Sequence, residues 1–265
     1  MNGARPLDPA RQRMGHRMRR GAYLLPSLFT IGNMLLGFYA VVVAYREEDF
    51  AKAAYLVFAA AFVDFLDGFI ARMVGTESDF GKEYDSLADV LTFGAVPAYL
   101  TYLWGLKDFH PDAWLICFFY MVCTATRLAR FNVQTKVVDS RWFVGLPTPA
   151  AAGAVCSLLF FSPPGELKVW MQVLVAASLL IIGVLMVSTF RYASLKNRNL
   201  RKRWSFRSLV PIVAVVLLFI FLRESAFLAL AVLYTFSGPV LYVVSRLRSG
   251  GARPAPPEPP QEALP

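Results

Sequence analysis

The chain has 265 residues, of which 57% are hydrophobic and only 17% charged, and it carries a formal net charge of +9. A soluble domain of this length carries more charge, and the apolar residues here fall in long runs instead of alternating or amphipathic patterns. Two histidines in a tail and a loop, and three cysteines without metal-ligand spacing, argue against a zinc centre, a disulfide frame and histidine-based catalysis.

Runs of about 18 or more apolar residues are read as bilayer-spanning helices. The sequence therefore predicts an all-α, polytopic transmembrane bundle of about eight spans, at residues 23–45, 53–73, 86–105, 113–131, 146–161, 169–190, 209–222 and 226–245. The fifth and seventh are short, and six spans is the alternative if the last two form a re-entrant hairpin. Residues 1–22 read as a basic cytoplasmic tail, 23–190 as a six-helix catalytic core and 191–208 as a basic cytoplasmic loop. Residues 209–248 read as two additional helices and 249–265 as a disordered, Pro-rich tail. The first apolar run is too long for a signal peptide and is expected to remain in the mature protein. With the termini and alternate loops on one side, that side holds 22 of the 27 Lys and Arg residues. The positive-inside rule then puts both termini in the cytoplasm. The basic and aromatic run Arg198–Arg207 reads as a membrane-surface loop and not as a nucleic-acid site.

The second span contains Asp64 and Asp67, and the third begins with Asp85 and Asp89. A carboxylate at membrane depth costs about 2.5–3.5 kcal/mol on insertion scales, so four of them on consecutive helices demand a partner or a function. Spacings of three and four residues put each pair on one face of its helix. The short connection between the helices makes them antiparallel neighbours and brings the pairs together. Two divalent cations would neutralise four aspartates, and all-oxygen ligands suit Mg²⁺ or Mn²⁺. Such two-ion sites clamp phosphoryl oxygens during in-line displacement. Gly68 and Ala71 leave room for a ligand beside the backbone, Gly81 precedes the second pair, and Arg72 offers a planar fork for phosphate oxygens. Close helix packing and snorkelling are the plainer explanations of these small residues and of Arg72.

Residues 64–89 together read D-F-L-D-G-F-I-A-R, eight residues, then G-K-E-Y-D-S-L-A-D. This resembles the signature of the CDP-alcohol phosphatidyltransferase family, D-x2-D-G-x2-A-R-x8-G-x3-D-x3-D, at every fixed position. The resemblance implies that Asp64, Asp67, Asp85 and Asp89 hold two divalent metals and that Asp89 is also the general base. It implies that Gly68, Ala71, Arg72 and Gly81 face the CDP-diacylglycerol donor, with Ser78 placed to do likewise. The family often shows P-N-x-x-T in the first span. Here Thr30 matches, Ser27 stands in place of Asn, and Asn33 is the residue that could supply the missing contact. The segments 27–38, 78–98, 127–133, 145–153 and 186–196 resemble the membrane-integral members that use L-serine as the acceptor. Arg127, Arg130 and Asn132 are candidates for binding the acceptor carboxylate or the lipid phosphate. The resemblance also suggests a homodimer, and the short loops and lack of an organelle-targeting pattern fit a prokaryotic cytoplasmic membrane. Another acceptor (glycerol 3-phosphate, an inositol compound or choline) is the nearest alternative, and an ion-coupled transporter the more remote one.

Overall fold

The computed structural model describes residues 9–74, 79–134, 142–161, 167–193 and 228–243. They are helical apart from one short ribbon. Helix α1 (Pro9–Glu47) continues from the basic N-terminal segment into the first span without a break, and α2 (Phe50–Val74) follows. Their connection is tight: Glu48 takes a positive φ of 54°, and the Asp49 carboxylate accepts from the Lys52 amide at 2.8 Å, capping α2. Residues 79–106 form one long helical run of α3 (Asp79–Asp89), a π turn (Val90–Ala95), α4 (Val96–Thr101) and a second π turn (Tyr102–Leu106). Then come α5 (Trp114–Gln134), α6 (Thr148–Leu158), α7 (Val169–Val187) and, after a gap in the described residues, α8 (Leu228–Val243).

Four of these helices are long and apolar enough to cross a membrane, over Leu28–Glu47, Phe50–Ile70, Trp114–Val133 and Val169–Val187. The third expected span is the interrupted run 79–106; the fifth and eighth are the shorter apolar helices α6 and α8. The expected span 209–222, the tail 249–265 and most of the basic loop 191–208 lie outside the described residues.

The packing is that of a bundle immersed in apolar solvent. Small residues carry the contacts: Ala40 and Ala44 on α1, Ala53, Ala54 and Ala60 on α2, and Ala151, Ala152 and Ala154 on α6 are all buried. They allow backbones to approach closely, as lipid-embedded helices require. Large apolar side chains such as Leu35, Phe38, Phe62, Phe118, Leu174 and Val184 point outward instead. Cys117, Cys123 and Cys156 are free, buried thiols and serve as packing groups.

Both π turns release backbone carbonyls from the regular ladder, and a neighbouring helix satisfies one in each. The Tyr120 hydroxyl on α5 donates to the Phe93 carbonyl at 3.0 Å, and the Gln172 amide on α7 donates to the Gly105 carbonyl at 3.0 Å. Glycine permits the approach at Gly94, where a Cβ would meet the Thr124 side chain at 3.2 Å.

The end of the bundle near Arg130 is closed by strands β1 (Trp142–Val144) and β2 (Arg191–Ala193), paired antiparallel with Phe143 opposite Tyr192. Gly145 leaves this ribbon at φ +82°, and its amide donates to the Phe190 carbonyl at 2.8 Å. Any side chain at position 145 would put its Cβ 2.2 Å from the Met186 carbonyl oxygen, so only glycine fits.

Candidate active site

The site is built on three helices. Asp64 and Asp67 project from α2, and Asp85 and Asp89 from α3. Carboxylate oxygens of Asp64, Asp85 and Asp89 all lie within 4.8 Å of one another. Asp67, one turn along α2, interacts electrostatically with Asp64 and Asp85 but accepts its hydrogen bond from α1: Thr30 Oγ1 donates to Asp67 Oδ2 at 2.6 Å. Asp67 and Asp89 are 5% and 9% exposed, and one oxygen of each, Oδ1, is buried with no hydrogen-bond partner. Like charges this close repel by about 3 kcal/mol or more per pair at an effective dielectric constant near 20. Partnerless carboxylate oxygens in an oxygen-only cluster are suitable ligands for a hard divalent cation. The residues present thus fit Mg²⁺ or Mn²⁺.

Arg127 on α5 faces this cluster. It is 7% exposed, its Nη1 donates to the Thr148 hydroxyl at the start of α6, and it interacts electrostatically with Asp89. Its Nε is buried without a partner. The Arg127 guanidinium also lies 5.9 Å from the Phe131 ring centroid.

Arg127, Arg130 and Asn132, grouped together in the sequence, do three different things. The Arg130 guanidinium spends its donors on main-chain carbonyls, those of Val187 at 2.8 Å, Ser188 at 3.0 Å and Val144 at 3.2 Å. It clamps α5 to the ribbon and the end of α7. Asn132 reaches across to α3, donating to Ser86 Oγ at 2.9 Å and Glu83 Oε2 at 3.3 Å. That bond pins the turn of α3 between Asp85 and Asp89. Among the three, Arg127 is the one directed at the carboxylates.

Of the other expected donor-binding residues, Gly68 is half-buried on α2 beside Asp67, and Gly81 lies in the first turns of α3. Ala71 and Arg72 occupy the next turn of α2, and Ser27 lies on α1 one turn before Thr30. Ser78 is outside the described residues. Sequence reasoning missed Thr148. Its signal was the segment GLPTP, in which Pro147 starts α6 and leaves the Thr148 hydroxyl free to meet α5. Asn33 and Thr92, where α1 meets the π turn, also belong to this neighbourhood: Thr92 Oγ1 donates to the Asn33 carbonyl at 3.5 Å.

The family model for CDP-alcohol phosphatidyltransferase matches residues 23–182, a stretch that contains Thr30, the four aspartates, Arg127 and Thr148. The chain belongs to the CDP-alcohol phosphatidyltransferase family. Three curated relatives are named CDP-diacylglycerol–serine O-phosphatidyltransferase. One from Helicobacter pylori (strain J99) is 35% identical over 222 residues, covering 80% of this chain and 89% of the relative. One from Bacillus subtilis (strain 168) is 31% identical over 185 residues, covering 68% of this chain and 98% of the relative. One from Mycobacterium leprae is 41% identical over 150 residues, covering 54% of this chain and 49% of the relative. Helix α8 lies beyond the matched family region.

Proposed function

We propose that the protein transfers the phosphatidyl group of CDP-diacylglycerol to L-serine, releasing CMP and phosphatidylserine. The observation that carries this is the convergence of Asp64, Asp85 and Asp89 within 4.8 Å, with Asp67 held beside them by Thr30, in a chain whose full-length relatives bear the serine transferase name.

Divalent cations held by Asp64, Asp67, Asp85 and Asp89 would neutralise these carboxylates and polarise the phosphoryl oxygens of the diphosphate. The chain's own residues do the rest. Thr30 fixes the Asp67 carboxylate in one rotamer. Gly68, Ala71 and Gly81 leave space for the nucleotide beside α2 and α3, and Arg72, Ser27 and Ser78 are assigned to its polar groups. Asp89 accepts the proton of the serine hydroxyl as that oxygen attacks the phosphorus and the bond to CMP breaks. Arg127, steadied by Thr148, binds the acceptor's carboxylate as a fork. Arg130 and Asn132 hold α5 in register with the ribbon and α3, so that Arg127 keeps its aim. No covalent enzyme intermediate is needed.

The protein is proposed to span a prokaryotic cytoplasmic membrane about eight times, termini and active site facing the cytoplasm, as a homodimer. The distribution of Lys and Arg supports the orientation. The family resemblance supports the dimer, which light scattering of detergent-purified protein would test.

CMP release from CDP-diacylglycerol, measured with purified protein against a panel of alcohols, tests the acceptor. Serine is expected to be the productive partner. Release with glycerol 3-phosphate, inositol or choline and none with serine would replace the serine assignment. Flux of a solute without any CMP release would favour a transporter.

A further inference from the structure

The Asn33 side chain is 0% exposed, and neither its amide nitrogen nor its amide oxygen has a hydrogen-bond partner. A buried amide left with both a donor and an acceptor unused is costly, and native proteins seldom tolerate one without a ligand to complete it. Its surroundings are those of the active site. Thr30, one turn earlier on the same face of α1, holds Asp67. Thr92, three residues past Asp89, donates to the Asn33 main-chain carbonyl. Asn33 therefore lies one turn deeper in the bundle than the Thr30–Asp67 bond, level with the residues just beyond Asp89.

We propose that Asn33 is a specificity residue whose amide hydrogen-bonds the α-amino-acid end of the acceptor. This rests on the serine reading above. An amide offers N–H and C=O side by side, and an α-amino acid presents a carboxylate that accepts and an ammonium that donates. The pairing uses both orphaned atoms at once, and a plain alcohol could not match it. In-line displacement sets the side of approach: attacking and leaving oxygens lie on opposite faces of the phosphorus. On the serine reading the nucleotide departs on the side of Gly68, one residue past Asp67 on α2. The acceptor then comes from the deeper side, where Asn33, Asp89 and the partnerless Arg127 Nε lie.

The test is steady-state CMP release by the full-length protein in detergent micelles, with serine and CDP-diacylglycerol varied in turn, for wild type, N33L and N33S. Leucine keeps the branched outline of the side chain and removes the unsatisfied amide, while its methyl groups are bulkier, so N33L is expected to melt within a few degrees of wild type. Its KM for serine should rise tenfold or more while its KM for CDP-diacylglycerol stays within twofold; N33S should fall between. A raised KM for CDP-diacylglycerol with an unchanged KM for serine would assign Asn33 to the nucleotide and overturn the proposal. Unchanged values for both, or N33L melting several degrees lower, would make Asn33 a packing residue and overturn it equally. Serine-dependent CMP release by wild type separates these outcomes from failure of the serine reading itself.

Discussion

Replacing Thr30 with valine isolates one bond at the carboxylate cluster. Thr30 is 3% exposed and donates to Asp67 at 2.6 Å, so the isosteric valine opens no cavity and removes that hydrogen bond. The acceptor is a carboxylate, and hydrogen bonds to charged groups contribute about 1.5–3 kcal/mol. Asp67 Oδ1 is already partnerless, so in T30V neither oxygen is restrained from the protein side. Loss of an outer partner of a metal-binding carboxylate lowers metal affinity about 10–100-fold, which agrees with that energy at about 1.4 kcal/mol per decade. The assay is CMP release titrated with Mn²⁺ at saturating lipid and serine. The half-activating concentration should shift upward by about one to two decades in T30V and return towards wild type in T30S. An unshifted Mn²⁺ curve in T30V would refute the idea that this hydroxyl prepares Asp67 for a cation.

Asp89→Asn should lower turnover by about 10²–10⁴-fold, the range for a general base, while CDP-diacylglycerol still binds in a filtration or fluorescence assay; wild-type turnover would remove Asp89 from the role of base. Chelation should abolish activity, and Mg²⁺ or Mn²⁺ should restore it and raise the melting temperature, because binding to the folded state alone adds about 2.7 kcal/mol at 100 times Kd; activity surviving exhaustive chelation would contradict the assignment. Arg130→Ala should lower the melting temperature, since three carbonyls lose a donor, and any rise in the KM for serine should come together with that loss of stability; a raised KM without a stability change would return Arg130 to acceptor binding. Gly145→Ala should destabilise by about 1–3 kcal/mol, as expected for forced left-handed backbone with a clash, and denaturant or thermal unfolding would reveal its absence.

Much of the site was legible because charge inside an apolar run is conspicuous. Asp64, Asp67, Asp85 and Asp89 stand out against their neighbours, and helical spacing alone brings each pair to one face. The long spans were equally plain, since hydropathy reports directly on α1, α2, α5 and α7. The roles of Arg127, Arg130 and Asn132 were not legible: all three sit at one end of α5, and only their partners on α6, on the ribbon and on α3 separate them. The ribbon escaped notice because three-residue strands leave no periodic trace. Its clearest mark is Gly145, whose need for positive φ depends on the Met186 carbonyl more than 40 positions away. Hydropathy was silent on the π turns as well, because VLTFGA is as apolar as any α-helical turn.

The wide turn directly after Asp89 sets the angular phase of the interrupted helical run 79–106. Each surplus residue offsets the helix by about 100° relative to an uninterrupted one. The half bearing Asp85 and Asp89 is thereby aimed independently of the half bearing Pro97 and Trp104, which packs among the other helices. Removing a single residue from 90–95 would let the helix heal, and the two carboxylates would swing about a quarter-turn away from Asp64 even though all four aspartates remained in the chain. Insertions and deletions here act like a misaligned gear, whereas the same change beyond residue 106, in the connection to α5, would leave the mesh intact.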